Sequence, residues 1–211
     1  MLYADFNLQI ETLLNSGGRP PEVCLLGFSG GADSTALLDL LARRRDEGGA
    51  AQELIAVHLD HGLRGAASLA DAEFCRNFCA VRKIELITQK TEVAALAQAE
   101  KIGLEDAGRR ARLDLFASVA QKYESRGLAV VVLLAHHADD QVETILLNIL
   151  RGAGARGLSG LRLERELAFS AGKRLRILRP LLNFTKTQLC EYLRGRGLSW
   201  REDDSNSDPR F

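Results

Sequence analysis

Short, almost wholly apolar runs alternate along this chain with longer amphipathic stretches, a pattern that predicts βαβ units. The apolar runs are nearly uninterrupted, as expected of strands that helices cover on both faces. The predicted strands are Val23–Phe28, Leu54–Leu59, Ile84–Thr88 and Ala129–Ala135. The predicted helices span about 3–15, 34–46, 69–82, 92–101, 104–125 and 138–151. Helical crossovers between the strands imply an α/β fold with a doubly wound parallel sheet.

The pattern changes after Arg151. A glycine-rich link is followed by two short alternating segments around Ser170–Lys173, which predict a hairpin, and by a last helix at about 185–195. We therefore predict a main domain over residues 1–155 and a small hairpin-plus-helix extension of it over residues 156–211.

The composition is that of a globular chain. Of the 211 residues, 46% are hydrophobic and 27% are charged, which argues against disorder and collagen. The longest apolar run, Leu128–Ala135, is far shorter than the roughly 20 residues of a membrane-spanning helix. The N-terminus also lacks the basic region of a signal peptide. We therefore expect a cytoplasmic protein without a membrane partner, and its four cysteines, which form no CxxC pair, to be buried thiols.

Charge is unevenly distributed along the chain. Residues 1–150 hold 15 basic and 21 acidic residues, a balance of −6, whereas residues 151–211 hold 13 basic and 7 acidic residues, a balance of +6. A basic segment attracts polyanions such as nucleic acid. Arginines scattered over a solvated surface would give the same count, so both interpretations stay open.

The strongest local signal is a hexapeptide between the first strand and the second helix, made of Ser29, Gly30, Gly31, Ala32, Asp33 and Ser34. Two glycines allow a sharp turn, and a helix start offers unpaired N–H groups with a partial positive charge. Such a site binds phosphate. Because Asp33 alone would repel phosphate, its presence suggests a bridging Mg²⁺ ion. The alternative is a tight turn in which Asp33 or Ser34 caps the helix.

Two other motifs overlap or follow this region. The G-x-S-x-G pattern around Ser29 is that of an α/β-hydrolase nucleophile elbow, but only one short helix precedes it, whereas an elbow needs earlier strands and an upstream loop. The glycines at 152, 154 and 157 match a dinucleotide fingerprint, but they follow a predicted helix instead of a strand. We favour neither.

All four histidines lie at predicted strand ends, where doubly wound sheets bind ligands. His58 lies at the end of the second predicted strand and His61 just after it, whereas His136 and His137 follow the fourth.

The helix after the fourth strand is predicted to carry an acidic side. Helical spacing groups the polar residues His136, Asp139, Asp140 and Glu143. It places on the opposite side the apolar residues Val142, Ile145, Leu146 and Ile149. Carboxylates beside a phosphate loop favour a divalent cation bound together with a nucleotide. A zinc site is the rival interpretation.

A third group lies on one face of the helix predicted at 104–125. Glu105, Arg109 and Arg112 are spaced at i, i+4 and i+7. This spacing usually means a Glu–Arg surface pair worth a few tenths of a kcal/mol. The residues alone do not decide between that pair and a functional role.

Taken together, these motifs resemble the PP-loop ATP pyrophosphatases, enzymes that cleave ATP between its α and β phosphates and transfer AMP to a substrate oxygen. Further blocks narrow the resemblance, in the order AVHLDHGLRG, LEDAGRRAR, LLAHHADDQVETILLNILRGAGARGLSG, RPLL and WREDDSNSDPRF. From about residue 23 to the end, the chain resembles the N-terminal catalytic domain of the tRNA(Ile)-lysidine synthetase family. The resemblance implies a PP-loop, adenine nucleotide alpha hydrolase-like fold. It also implies a ligase that adenylates the wobble cytidine of an isoleucine tRNA with a CAU anticodon, then joins free L-lysine to it, releasing AMP and pyrophosphate.

The resemblance also implies roles for individual residues. ATP would be bound by the loop and one histidine, namely Ser29, Gly30, Gly31, Ala32, Asp33, Ser34 and His58. Mg²⁺ would be bound by Asp33 and Asp140. The catalytic residues would be Asp33, Arg109, Arg112, His136, Asp139 and Asp140. A block expected near the mouth of the active site is formed by Asp203, Asp204, Ser205 and Asn206.

The chain departs from the family pattern in two places. Leu113 stands where members commonly have an aromatic residue, which weakens a base-stacking role there. The chain also stops at Phe211, where the family continues into C-terminal domains that bind tRNA. We therefore expect a fragment that binds ATP and Mg²⁺ and modifies tRNA weakly or not at all.

Several alternatives remain at this point. They are a PP-loop tRNA thiolase, which typically needs a cysteine-bound iron–sulfur cluster, another ATP-pyrophosphatase ligase, and a nucleotide-binding module without catalysis. The lysine pocket and the oligomeric state are open, a homodimer being one candidate assembly.

Overall fold

The structure is a computed structural model that describes residues 1–49, 52–62, 66–154, 157–169 and 173–202. The strands are β1 (Val23–Gly27), β2 (Glu53–Asp60), β3 (Glu85–Lys90), β4 (Val130–Leu133), β5 (Glu164–Phe169) and β6 (Lys173–Leu178). The helices are α1 (Leu2–Asn15), α2 (Ala32–Asp46), α3 (Ala66–Val81), α4 (Val93–Glu100), α5 (Leu104–Glu124), α6 (Ala138–Leu150) and α7 (Lys186–Gly195). A single 3-10 turn, Gly157–Ser159, follows α6.

The six strands form one sheet in the order β3-β2-β1-β4-β6-β5. All neighbours run parallel except β5, which pairs antiparallel with β6 at the edge. The predicted α/β fold with a doubly wound parallel sheet is therefore confirmed.

The predicted hairpin is confirmed by the pairing of β5 with β6, although its turn at 170–172 lies outside the described residues. Strand β6 also pairs with β4, so the second part of the chain adds to the same sheet. The division at residues 155 and 156 stays a prediction.

Successive residues of β1 pack into opposite layers, as the period of two in a strand requires. Val23 and Leu25 belong to the apolar layer that α5 covers, whereas Cys24 and Leu26 belong to the layer formed with α1, α2 and α7. Both faces of the sheet are thus buried, which explains why its central strands are apolar almost throughout.

Element boundaries differ from the predicted ones by a few residues. Helix α2 begins at Ala32, two residues early, because the chain turns into the helix directly after the glycine pair. Strand β3 runs to Lys90, since its pairing with β2 continues as far as Asp60.

The four cysteines are free thiols, of which Cys24, Cys75 and Cys79 are buried and Cys190 is partly buried. In the described ranges no helix is long and apolar enough to cross a membrane.

Candidate functional site

The loop from Ser29 to Gly31 joins β1 to α2 and is held by its own side chains. The Ser29 hydroxyl accepts the Gly31 N–H at 3.3 Å and lies 3.1 Å from the Ser34 hydroxyl. The Thr35 hydroxyl donates to the Gly30 carbonyl at 3.1 Å. The Ser29 hydroxyl is thus bound to the loop itself, through Gly31 and Ser34.

Gly30 is required by the geometry of this turn. Its φ of +85° lies in the left-handed region. An added Cβ would also come within 3.1 Å of the Phe74 ring and 3.2 Å of the Cys75 sulfur. The second glycine, Gly31, is the N-cap of α2.

The first turn of α2 has no side-chain cap. The alternative in which Asp33 or Ser34 caps this helix is therefore wrong. The first intrahelical bond is from the Thr35 N–H to the Gly31 carbonyl, so the N–H groups of Ala32, Asp33 and Ser34 meet no acceptor among the described residues. Three adjacent unpaired donors at a helix start suit a phosphate group.

Asp33 lies in this first turn, and one of its carboxylate oxygens has no hydrogen-bond partner in the described ranges. Its Oδ1 is buried and has no hydrogen-bond partner within the described chain. Its Oδ2 lies 3.6 Å from Nε2 of His137. A buried carboxylate oxygen without a partner is costly unless a cation or donor binds it, so this site fits a hard cation such as Mg²⁺.

His137 links Asp33 to the start of α6. It is the N-cap of that helix: its Nδ1 accepts the Asp139 N–H at 3.2 Å, and the Asp140 carboxylate accepts the His137 N–H at 2.8 Å. Its Nε2 lies 3.7 Å from Oδ2 of Asp140. Burial works against protonation, but Asp33, Asp140 and Asp139 outweigh it and raise the pKa of His137.

The two adjacent aspartates of α6 have different surroundings. Asp140 lies beside Nε2 of His137, as Asp33 does, whereas Asp139 lies 3.3 Å from Nδ1 on the other side of the ring. The Asp139 carboxylate also accepts the Lys186 N–H at 2.8 Å. This backbone hydrogen bond lowers the pKa of Asp139. Of the two, Asp140 is the one placed to share a cation with Asp33.

A cavity of about 220 Å³ opens between the ends of β1, β2 and β4. Its polar wall includes Ser29, Asp33, His61, Arg112 and His136. Its apolar wall is formed by Gly27, Phe28, Val57, Leu59, Leu115 and Leu134. The carboxyl ends of parallel strands thus form the pocket, as expected for this fold.

His136 is held from outside the cavity by Arg179. The Arg179 Nε–H donates to Nδ1 of His136 at 3.2 Å, so the proton of the neutral ring is on Nε2. Burial, and then the charge of Arg179, lowers the pKa of His136 to about 4. His136 is therefore neutral at pH 7 and can donate one hydrogen bond from Nε2.

Arg109 and Arg112 lie on α5 near this histidine. Arg112 lines the cavity. Burial, and then the nearby charge of Arg109, lowers the pKa of Arg112. Within the described residues neither arginine forms an ion pair with Glu105 or any other carboxylate. The surface-pair interpretation of this group is therefore wrong.

A second cavity, of about 460 Å³, lies on the other side of the loop and shares Ser29, Gly31 and Asp33 with the first. Charged side chains of both signs line it: the cations Lys186, Arg194 and Arg201 and the carboxylates Asp33, Asp71 and Glu202, of which Asp71 pairs with Arg201 at 2.7 Å. The Arg201 N–H also donates to the Gly30 carbonyl at 2.9 Å. The loop thus separates a cavity with one apolar and one polar wall from a second cavity lined mainly by charged side chains.

His58 lies beneath the loop and lines neither cavity. It is 5% exposed, its Nδ1 is 2.8 Å from the Phe28 carbonyl, and the Cys75 sulfur is 3.5 Å from the same nitrogen. These contacts support the end of β1, so direct nucleotide binding by His58 stays a prediction. Cys75 is not a reactive thiol, because burial raises its pKa to about 12.

The apolar side of α6 does not pack against the core. Val142, Leu146 and Ile149 are 57%, 54% and 52% exposed, and no residue of this helix is buried. Glu143 is exposed and lines neither cavity.

The zinc alternative finds no support in the described residues, where no group of three or more His, Cys, Asp or Glu side chains could hold a metal ion. Mg²⁺ needs fewer protein ligands, because phosphate oxygens and water supply the others. The block from Asp203 to Asn206 lies outside the described residues.

Sequence reasoning missed Arg179 and the three cations of the second cavity. Arg179 directly follows β6, which the sequence indicated only as part of a hairpin, so its place next to the end of β4 was not visible. Lys186, Arg194 and Arg201 counted only towards the basic composition of the second part.

Comparisons with known proteins agree with this geometry. Residues 2–211 match the PP-loop domain family. The tRNA(Ile)-lysidine synthase of Geobacter sulfurreducens is 40% identical over 193 residues, which cover 92% of this chain and 38% of that protein. That of Bacillus subtilis is 37% identical over 183 residues, covering 87% of this chain and 36% of that protein. The chain thus spans less than two fifths of the length of these relatives.

Two solved structures share the fold. The U34-tRNA thiolase NcsA from Methanococcus maripaludis has a TM-score of 0.70 at 17% identity, covering 94% of this chain and 65% of that one. The NH3-dependent NAD synthetase from Campylobacter jejuni has a TM-score of 0.55 at 17% identity, covering 92% and 71%. With the loop, its unpaired donors and the match over the whole length, this chain belongs to the PP-loop domain family.

Proposed function

We propose that this chain provides the catalytic site of an ATP-dependent tRNA-modifying ligase. It would adenylate the wobble cytidine of the CAU anticodon in an isoleucine tRNA and join L-lysine to it, releasing AMP and pyrophosphate. The observation that carries the proposal is the uncapped start of α2, with the bare Asp33 oxygen beside it, in a chain about 40% identical to proteins named tRNA(Ile)-lysidine synthase.

The two cavities suit the two ends of ATP. The first has an apolar wall for the adenine ring, and in the second Lys186 and Arg194 form no ion pair within the described residues and would bind the β and γ phosphates. The N–H groups of Ala32, Asp33 and Ser34 lie between them, where they would hold the phosphate chain.

Asp33 and Asp140 would hold Mg²⁺, as the bare Oδ1 of Asp33 and the shared position at His137 support. When bound, this ion would offset the negative charge of the phosphates and polarise the α phosphorus.

The chemistry needs little covalent help from the protein. The 2-carbonyl oxygen of cytosine forms a bond to the α phosphorus, and pyrophosphate leaves towards Lys186, Arg194 and Arg201. The neutral side-chain amine of lysine then forms a bond to carbon 2, AMP leaves with the oxygen, and the amine loses a proton to solvent. His136 would donate a hydrogen bond from Nε2 in the cavity and does not act as a base.

The other partners follow from this reaction. The target cytidine has to leave its stack to reach the cavity. Because tRNA is the substrate, we place the protein in the cytoplasm. The homodimer stays a prediction.

The proposal is tested by mass spectrometry of tRNA nucleosides after incubation of the chain with ATP, Mg²⁺, L-lysine and an isoleucine tRNA transcript. The chain is kept in excess over tRNA, so that a weak affinity for tRNA slows the modification without reducing its final extent. Of the two outcomes expected from the sequence, weak modification and none, the proposal requires weak modification. Lysidine should therefore form slowly at the wobble position, and not at all when ATP or lysine is left out.

The matched control is the same transcript with uridine at the wobble position, which should stay unmodified. An unmodified cytidine in a mixture where ATP binding has been verified would contradict the proposal for this chain.

A further inference from the structure

A groove of about 500 Å³ is lined by Arg179 and by residues of β5 and the segment before it, none of which lines the first cavity. Strands β4 and β6 are parallel neighbours, so the residues directly after them lie side by side. Arg179, which follows β6, contacts His136, which follows β4, and also lines the groove. This His–Arg pair therefore links the two, because His136 lines the first cavity and Arg179 lines the groove.

The groove is built from fixed elements. The Gln141 side chain of α6 both donates to and accepts from the backbone of Leu161, which holds the segment before β5. The Arg179 guanidinium donates to the Arg162 carbonyl at 2.8 Å, and the Arg179 N–H donates to the Leu163 carbonyl at 2.8 Å. Arg179 itself is 5% exposed, so the floor of the groove carries a buried positive charge.

The carboxylates of the groove are already neutralised. Glu164 pairs with Arg176 at 2.8 Å and Glu166 pairs with Arg174 at 2.9 Å. Arg162 and Arg165 also line the groove, are exposed, and form no ion pair in the described part of the chain. The net charge of the groove is therefore positive.

This charge continues onto α5. Burial, and then the nearby charges of Arg165 and Arg109, lowers the pKa of Arg179, while Arg109 and Arg112 also act on His136. Arg162, Arg165 and Arg179 form no ion pair in the described part of the chain, and like charges brought together in this way are unfavourable unless an anion binds among them. The cluster extends from the first cavity across Arg179 into the groove, which is longer than one phosphate group requires.

We propose that this groove binds the sugar-phosphate backbone of the RNA strand next to the nucleotide being modified, with Arg162 and Arg165 as phosphate contacts. The inference rests on the proposed function and adds to it the path of the RNA. Bound there, the strand would lie beside His136, so that a base leaving its stack reaches the first cavity. Arg179 would position His136 and form the floor of the groove next to the first cavity.

The test is fluorescence anisotropy with a labelled RNA stem-loop carrying the CAU anticodon, in the absence of ATP. The variant Arg162→Ala/Arg165→Ala should bind this RNA about tenfold or more weakly at moderate salt. The slope of log affinity against log salt should become shallower by about 0.7 for each phosphate that the variant no longer neutralises. Both side chains are exposed, so the variant is expected to fold.

The matched control is Arg110→Ala, which removes one positive charge from α5 outside the groove, where Arg110 pairs with Glu100 at 2.6 Å. It should leave RNA affinity and the salt slope unchanged. ATP affinity, measured by calorimetry, should be the same in all three proteins, since none of the replaced arginines lines the first cavity.

Unchanged RNA affinity in the double variant, or an equal loss in the control, would overturn the proposal. A loss of ATP affinity would also overturn it, because the arginines would then hold the nucleotide phosphates. RNA binding through the groove without AMP transfer would contradict the proposed function alone, so the two failures are distinguishable.

Discussion

The central residue of the site is Asp33, whose buried Oδ1 has no partner in the described chain. In Asp33→Asn the shape is kept and the charge is lost. We expect ATP affinity in Mg²⁺ to fall on the order of a hundredfold. Without Mg²⁺ the variant should bind ATP at least as well as the wild type, because the repulsion between carboxylate and phosphate is gone.

Calorimetry of ATP binding with and without Mg²⁺ measures this difference. The control is Asp46→Asn at the other end of α2, where the carboxylate pairs with Arg45 on the surface. If Asp33→Asn responded to Mg²⁺ as the wild type does, Asp33 would not hold the ion.

The pKa of His136 depends on its contact with Arg179. Its pKa is lowered to about 4 by burial and then by Arg179. Replacing Arg179 with Met should raise that pKa, whereas Arg174→Met, in the strand that precedes Arg179, should not. An NMR titration of the histidine resonances measures the pKa of His136 in the wild type and in each variant.

The lowered pKa of His136 also makes the free energy of unfolding depend on pH. Between pH 6.5 and about 4 the unfolded chain binds a proton at His136 that the folded chain does not. The free energy of unfolding contributed by this residue therefore falls as pH is lowered through that window. A wild-type midpoint near 6.5 would show that His136 is not held neutral.

At the scale of elements, Asp39 joins three helices. It lies in α2, is 2% exposed, and accepts a hydrogen bond from Arg82, just after α3, at 2.8 Å. It also accepts hydrogen bonds from Tyr192 of α7 at 2.7 Å and from Arg196, just after α7, at 3.2 Å. Because α2 carries the phosphate loop, this cluster fixes the loop relative to α7.

Asp39→Ala should lower the free energy of unfolding by about 3 kcal/mol, since it leaves buried donors unpaired. Urea denaturation measures this loss, with Asp46→Ala as the exposed control on the same helix. A loss no larger than that of the control would show that the cluster does not stabilise the packing of α2 on α7.

How far the sequence predicts these elements depends on the range of the forces that form them. Strands such as β1 are predictable, because burial on both faces leaves a continuous apolar run. The hexapeptide is predictable too, since Gly30 and the helix start after it are local features.

Features that depend on pairing between distant segments are not predictable in this way. The apolar side of α6, around Leu146, has the pattern of a buried face but is exposed. Arg179 acquires its contact with His136 only because β6 inserts beside β4, far away in sequence. Non-local strand order carries no sequence period, so the cationic groove could not be predicted.

At the scale of the whole molecule, the loop of α2, the strand ends and the cations of α7 and the hairpin surround one place where phosphate chemistry is favoured. The chain belongs to the PP-loop domain family, and its relatives are about two and a half times as long. Its own contribution is therefore expected to be the nucleotide chemistry.

The most direct measurement follows the α phosphate of ATP. The chain, in excess, is incubated with Mg²⁺, α-labelled ATP and the isoleucine tRNA transcript bearing CAU, without lysine. We predict that the label enters the tRNA and that pyrophosphate is released in equal amount. Bound ATP that stays intact, or that yields ADP and phosphate, would contradict the account.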